Sequence, residues 1–399
     1  MSARFKMPDE NGNEKEKGTD SGHSRPENTF PNGRGNPQGA GRLLALDAAR
    51  GLAVIGMYLQ HFASKERITT IVSGNTTLLF VLCGGISYSI MAQHMKNRQK
   101  DTTAFWAKML ARAVFVDIMG YLLIMLNTSF GVILPAYAAM FVLALVLVGL
   151  SNRTLVTTTV ALMFLAPPLM LLGMSALSGA SLLRDVAGGP MSTLALAPAF
   201  VAGMAIGSLD LTKKRTAFLL GIGGLMLLII GKTLAAYVLP ELSRSFESWL
   251  VTVQGTAAMP DPYAIWPLNL EQPMWHMLLW TVPHSASTFQ TLTGLGFALL
   301  VLGIVFLVPK KTNAILVPFA GVGRVALTMY AAQFVVVWLL TLSRIDYSLD
   351  RVPLGDLLVA MITLVAGWLI SRLPHGPLES SMRHFDRLFS VPRSINTPK

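Results

Sequence analysis

Cysteine is almost missing. Cys83 is the only one in 399 residues, and it lies inside an apolar run, so neither an intrachain disulfide nor a cysteine-based metal site is available. Charge is scarce as well: 13% of residues are Asp, Glu, Lys or Arg, against about 25% in an ordinary soluble domain. Together with 52% hydrophobic residues and a mean hydropathy of +0.53, this excludes a soluble enzyme and implies an integral membrane protein. There is no His-x-x-x-His spacing and no carboxylate cluster, so no metal is expected. There is no Gly-x-Ser-x-Gly, so a serine nucleophile is unsupported. Solenoid-period repeats and the inverted halves of many transporters are likewise not visible. The formal net charge of +11 would suit a nucleic-acid partner, but Lys and Arg sit mostly in short gaps between apolar runs, as membrane topology requires. Nucleic acid is therefore not an expected partner.

What is present is a series of long apolar runs behind a polar head. Residues 1–40 are rich in Gly, Asn, Pro, Glu and Lys and have almost no large apolar side chains, so they are expected to form a disordered cytoplasmic tail rather than a signal peptide. The rest predicts an all-α polytopic bundle of about ten spans, near 43–62, 76–94, 105–126, 131–150, 154–173, 192–209, 216–238, 287–308, 318–342 and 354–373. The membrane domain is expected at 41–380 and a basic cytoplasmic tail at 381–399. Basic residues number about thirteen in the gaps assigned to the cytoplasm and about six in the opposite gaps, which puts both termini inside. Residues 239–286, with Trp249, Trp266, Trp275 and Trp280, are expected as a long outer loop, either a lid on the outer surface or a plain surface loop. Within it Met274–Val282 is too short to cross and is read as interfacial or re-entrant. The expected location is the plasma membrane, as a multi-pass protein.

The first span is an unusual one. On a helix of about 100° per residue, Asp47, Arg50, Val54, Met57 and His61 share one face and cover roughly 20 Å. A polar stripe in lipid is costly unless it faces protein or a wet cavity, which makes it a functional-site hypothesis. Asp47 and Arg50 form an i, i+3 pair. They are either a topology anchor or an anion site, in which Gly51 would allow a cofactor close to the backbone and Asp47 would hold the guanidinium. His61, at the outer end of the helix, is either a solvated interfacial histidine or, with an ordinary pKa near 6.5, a group suited to proton transfer. Pro283-His284-Ser285-Ala286-Ser287-Thr288 opens the eighth span. The serines read as helix-start chemistry, and His284 as a second imidazole converging with His61. Gly321-Val-Gly-Arg324 places another arginine at the depth of Arg50, fit for phosphate. Asp117 is a buried acid whose partner is either Arg112 or another helix.

In order, Arg42-Leu-Leu-Ala-Leu-Asp-Ala-Ala-Arg-Gly-Leu-Ala-Val-Ile-Gly-Met, Leu79-Phe-Val-Leu-Cys-Gly-Gly-Ile-Ser, Val132-Ile-Leu-Pro-Ala-Tyr, Phe200-Val-Ala-Gly-Met-Ala-Ile-Gly-Ser-Leu-Asp-Leu, Pro283-His-Ser, Gly323-Arg-Val-Ala-Leu-Thr-Met-Tyr and Gly376-Pro-Leu-Glu resemble the YeiB-like family of polytopic membrane proteins. That family is similar to the heparan-alpha-glucosaminide N-acetyltransferase group of transmembrane acyltransferases. The resemblance implies transfer of an acetyl or acyl group from cytoplasmic acetyl-CoA or another acyl-CoA to a glycan or glycolipid on the far side. Carried over by position, it implies Asp47, Arg50 and Arg324 on the cofactor and His61 and His284 in the chemistry. Gln333 departs from the pattern, standing where many members have His. The expected partners are the bilayer and an envelope glycan or glycolipid, with a homodimer left open. The alternative is a transporter or exporter of a small metabolite or lipid-linked sugar, which a broken helix pair would favour. Pro167-Pro168 is the one interior break the sequence suggests.

Overall fold

A computed structural model describes residues 37–63, 66–97, 102–177, 181–254, 273–349 and 352–389. Most of the expected tail at 1–40, residues 255–272 of the expected outer loop and residues 390–399 of the basic tail lie outside that set. Among the described residues the fold is all helical, in the order α1 (Pro37–Phe62), α2 (Glu66–Val72), α3 (Asn75–Asn97), α4 (Thr102–Met125), α5 (Leu134–Leu147), α6 (Asn152–Ala176), α7 (Ser181–Ala187), α8 (Thr193–Gly207), α9 (Lys214–Thr233), α10 (Leu239–Gln254), α11 (Thr288–Leu307), α12 (Leu316–Arg324), α13 (Ala326–Leu342), α14 (Gly355–Ile370) and α15 (Pro377–Leu388). Serine starts three of them. Ser151, Ser192 and Ser287 accept the backbone N–H three residues on at 3.2, 3.4 and 3.1 Å, satisfying donors that a helix leaves open at its first turn.

Each of the ten apolar runs contains a helix, but among the described residues four segments are both long and apolar enough to cross a bilayer alone: Thr70–Met95, Asn152–Ala176, Lys214–Val253 and Thr288–Leu307. A fifth is reached if Lys311–Arg324 and Ala326–Leu342, bent by 64°, count as one span. The structure thus supports four or five candidate spans where about ten are expected from sequence. Helices α5, α8 and α14 have 14, 15 and 16 residues, and at about 1.5 Å per residue they fall short of a hydrocarbon core about 30 Å thick. Helix α1 has the length, with 26 residues, but its polar stripe lowers its hydropathy.

Burial explains how that stripe is tolerated. The outward faces of α4, α6, α9 and α14 carry exposed apolar side chains such as Leu110, Phe164, Met226 and Ile362. By contrast α8 is buried along nearly its whole length, and the main core draws chiefly on α1, α3, α4, α5, α8, α11 and α13. The polar residues of α1 therefore meet protein rather than an apolar solvent.

Two chain features differ from expectation and a third agrees with it. Helix α6 runs through Pro167 and Pro168 without interruption, and the break lies instead at Val325, between α12 and α13. The seventh run does not stop at residue 238: a π-helical turn, Leu234–Val238, leads directly into α10, so 239–254 of the expected loop is helix. The combined 40 residues of Lys214–Val253 extend about 60 Å, twice the hydrocarbon thickness. The Met274–Val282 segment forms a single 3-10 turn, Trp275–Leu279, too short to cross.

Helices α1 and α12 approach until their backbones touch. A Cβ on Gly51 would lie 2.0 Å from the Phe319 carbonyl oxygen, and one on Gly323 would lie 1.8 Å from that of Asp47. Helices α3 and α8 repeat the device with Gly85 and Gly203, whose Cβ atoms would meet the carbonyls of Phe200 and Leu82 at 2.0 and 2.2 Å. Small residues at such crossings let dispersion and polar contacts hold helices together where lipid provides no hydrophobic drive. Orientation is open to direct measurement. Reporter fusions after Lys100 and after Lys214 are expected to read cytoplasmic and one near Ser245 external, from the basic asymmetry. A cytoplasmic reading at Ser245 would move His284 to the opposite side.

Candidate functional site

Arg50 and Arg324 line one cavity of about 270 Å³, enclosed by α1, α3, α4, α5, α12, α13 and α15. Arg50 is held on three sides. Its Nη1 donates to Asp47 Oδ1 at 3.1 Å and to the Gly323 carbonyl at 3.3 Å, and its Nη2 donates to Ser87 Oγ at 2.6 Å. Ser87 in turn donates to the Cys83 carbonyl at 2.7 Å. The i, i+3 pair expected from spacing is present, with both side chains more than three-quarters buried. The role read for Gly51 is not: its open side is filled by the α12 backbone, so it serves a helix crossing and leaves no room for a cofactor there. Arg324 is exposed and donates to the Ser371 carbonyl at 3.3 Å, leaving it the freer of the two cations. Arg112 lines the same cavity and donates to Asp386 on α15 at 2.9 Å. Asp117 therefore does not pair with Arg112. It lines a separate cavity of about 290 Å³ with Tyr121 and Asp185, where the tyrosine hydroxyl donates to Asp185 at 2.6 Å.

The break at Val325 has a local consequence. It restarts the helix and so exposes the first N–H groups of α13 at the cavity wall. Glu379 of α15 fills them: its carboxylate accepts Leu327 N–H at 2.8 Å, Thr328 N–H at 3.1 Å and the Thr328 hydroxyl at 2.5 Å. An anion at a helix N-terminus is stabilised by these donors and by the aligned peptide dipoles. Glu379→Ala is expected to lower stability in detergent by about 1–2 kcal/mol, read as a fall in thermal unfolding midpoint. Ser381→Ala, which loses a single bond from an exposed serine to the Pro377 carbonyl, is the control. Equal midpoints in the two variants would mean that the cap contributes nothing.

His61 and His284 line a second cavity, of about 320 Å³, together with Gln60, Phe130, Tyr330 and Gln333. The convergence of the two imidazoles read from sequence is thus found in the structure. His61 Nδ1 donates to Gln333 Oε1 at 3.2 Å, and its ring stacks on Phe130 with centroids 3.9 Å apart and planes 8° from parallel. His284 Nε2 accepts from Gln60 Nε2 at 2.9 Å. Burial holds the His284 imidazole below its ordinary value, so it is neutral at neutral pH. The backbone here is strained: His284 and Ala286 have φ of 61° and 52°, a region that side chains other than glycine pay for and that clusters at ligand sites. The adjacent serines are structural. Ser287 caps α11 and donates to the Trp280 carbonyl at 2.5 Å, and Ser285 donates to the same oxygen at 3.4 Å.

Stacked rings stand between the cavities. Phe80 lines the arginine cavity and Tyr330 the histidine cavity, with centroids 6.2 Å apart and planes 23° from parallel. Tyr330 is anchored by accepting Ile133 N–H at 2.9 Å, and Phe80 by its carbonyl, which accepts the Tyr137 hydroxyl at 3.3 Å. Arg50 and His61 belong to different cavities along one helix, roughly 16 Å apart at about 1.5 Å per residue.

Sequence reasoning missed Gln60, Ser87 and Glu379 as partners. Gln60 precedes His61 directly, and Glu379 ends the Gly376-Pro-Leu-Glu motif, so both carried a signal of position without one of role. Among the described residues no group of three or more His, Cys, Asp or Glu gathers that could hold a metal ion.

Residues 240–387 match the model of a family described as "Protein of unknown function (DUF418)". The YeiB-like family is a DUF418 family, so the resemblance carried by the ordered motifs fits this match. The matched region takes in His284, Arg324, Gln333 and Glu379 and leaves Asp47, Arg50 and His61 outside it. Neither a curated protein nor a solved structure matches the chain.

Proposed function

We propose that this DUF418 protein is a membrane-bound acyltransferase that carries an acyl group from acyl-CoA at the cytoplasmic face to an acceptor, an extracytoplasmic glycan or glycolipid. The observation that supports this reading is the arrangement of two cavities on α1, one lined by arginines and one by imidazoles, with a pair of stacked rings between them. Such a reaction needs two unlike subsites. Cofactor phosphates need fixed cations and N–H donors, and an attacking acceptor needs a positioned base.

On this reading Arg324 meets the phosphates, with Arg50, oriented by Asp47, shaping the positive field of the same cavity. An extended pantetheine arm runs along α1 past Phe80 and Tyr330. His61 then removes the acceptor proton, and holding thioester and acceptor together supplies the entropic part of the rate. The cofactor is a donor substrate, acetyl-CoA or another acyl-CoA, and the plasma membrane is the site of action.

A second reading, a transporter or exporter of a small metabolite or lipid-linked sugar, is favoured by one observation: the 64° break between α12 and α13 beside Arg324. Discontinuous helices of this kind frame substrate sites in many transporters. Sealed vesicles separate the two. With labelled acetyl-CoA supplied at the cytoplasmic face, the acyltransferase is expected to leave acetyl label covalently bound to glycan or glycolipid of the opposite leaflet. Label that enters the lumen unattached, or none at all, would sink the acyl-transfer reading.

A further inference from the structure

Gln333 is 1% exposed and lines the histidine cavity. Only one end of its amide is used by the protein. Oε1 accepts from His61 Nδ1 at 3.2 Å, while Nε2 has no hydrogen-bond partner among the described residues. Buried amides are rarely left so, because the group gives up its water bonds for no return. The neighbouring polar groups do not supply a partner. The Tyr330 hydroxyl, one turn earlier on α13, accepts Ile133 N–H, and the Gln60 Nε2 donates to His284.

The same contact sets the tautomer of His61. An amide oxygen can only accept, so the proton sits on Nδ1 and the lone pair on Nε2. Among the described residues His61 Nε2 has no protein hydrogen bond, whereas the corresponding atom of His284 already accepts from Gln60. The cavity therefore offers a donor, Gln333 N–H, and an acceptor, His61 Nε2, on two side chains locked to each other and to the Phe130 ring. A hydroxyl is complementary to both: its oxygen accepts from Gln333 while its proton faces His61. An alkylamine, protonated at neutral pH, has no lone pair to offer and sets donor against donor.

We propose that Gln333 binds the acceptor directly and that, resting on the acyl-transfer reading above, the site selects an alcohol and forms an ester. The hydroxyl oxygen attacks the thioester carbonyl carbon. The new C–O bond replaces the C–S bond, the proton passes to His61 Nε2, and from there it goes to the departing thiolate, which leaves as the free thiol. Gln333 is a binding group, and it also positions His61.

The test uses the full chain in detergent, with acetyl-CoA as donor and octyl β-D-glucoside or octylamine as acceptor, and in parallel a nitrogen-15 spectrum of the histidine rings and glutamine amides. Wild type is expected to form the acetyl ester and little amide, to show His61 as the Nδ1–H tautomer, and to shift the Gln333 amide signal when methyl β-D-glucoside is added. Gln333→Leu is expected to lower ester formation about 30-fold, the value of one hydrogen bond to a reacting group, and to give a tautomer mixture at His61. Gln333→Glu keeps the acceptor for His61 but replaces the N–H donor with an oxygen, so its preference is expected to move toward octylamine. Unchanged ester formation and an unchanged His61 tautomer in Gln333→Leu would overturn the proposal, as would a Gln333 amide signal that methyl β-D-glucoside leaves in place. Absence of any acetyl transfer by wild type would instead remove the acyl-transfer reading, while the spectra would still decide whether Gln333 binds an alcohol and fixes His61.

Discussion

Gly51→Leu is expected to eliminate the folded protein. At this position even the first side-chain atom would stand 2.0 Å from the Phe319 carbonyl oxygen, and a carbonyl within a helix cannot rotate aside as a flexible side chain would. Helices α1 and α12 would have to separate by an ångström or more, on the order of the shifts that cost about 1–3 kcal/mol in ordinary overpacked cores. Here the shift has a second cost. It pulls the Gly323 carbonyl away from Arg50, which loses one of its three acceptors in a site more than three-quarters buried, and a buried donor left unpaired costs about 1–3 kcal/mol. The monodisperse chromatographic peak in detergent should fall to background for Gly51→Leu and fall substantially for Gly51→Ala. Gly223→Ala, with no atom within 4 Å of its added Cβ, should keep the wild-type peak. A normal peak for Gly51→Leu would mean that α1 and α12 do not cross as described.

The second large effect concerns His61. With Nδ1 committed to Gln333 and the ring fixed on Phe130, this imidazole is pre-organised to take a proton at Nε2. Removing a positioned general base costs on the order of 10²-fold or more in rate, so His61→Ala is expected to lower acyl transfer by at least that factor. His284→Ala is expected to do less, because its Nε2 already accepts from Gln60 and is not available as a base. If His284→Ala proves the more damaging, the two imidazoles have exchanged roles and the assignment of the base is wrong.

Much of this was legible from the chain. The stripe of Asp47, Arg50 and His61 follows from helical periodicity alone, because three ionisable groups on one face of an apolar run must be enclosed by protein. Local spacing also gave the Asp47–Arg50 pair, and the serine caps follow from short-range hydrogen bonding. Contacts between distant segments were not legible. Arg112 meets Asp386 and Glu379 meets Leu327 across more than fifty residues, and neither pairing leaves a trace in composition or period. The break at Val325 was hidden because no proline marks it, whereas Pro167 and Pro168 advertised a break that α6 absorbs. Gln333 carried a signal of position without one of role: the sequence marks a departure from His there, and the structure shows its amide oxygen accepting from His61.

The division of labour between the cavities is tested most directly by acetyl-CoA binding to the purified protein and to two variants. Arg324 is the better probe of the arginine cavity, since it is exposed and donates to a single carbonyl, whereas removing Arg50 would strand Asp47 and confuse binding with folding. Arg324→Ala should weaken binding by about 1.5–3 kcal/mol, as expected for a charge-assisted hydrogen bond to phosphate, and His61→Ala should leave binding at the wild-type value. No measurable binding by wild type, or equal losses in the two variants, would contradict the account.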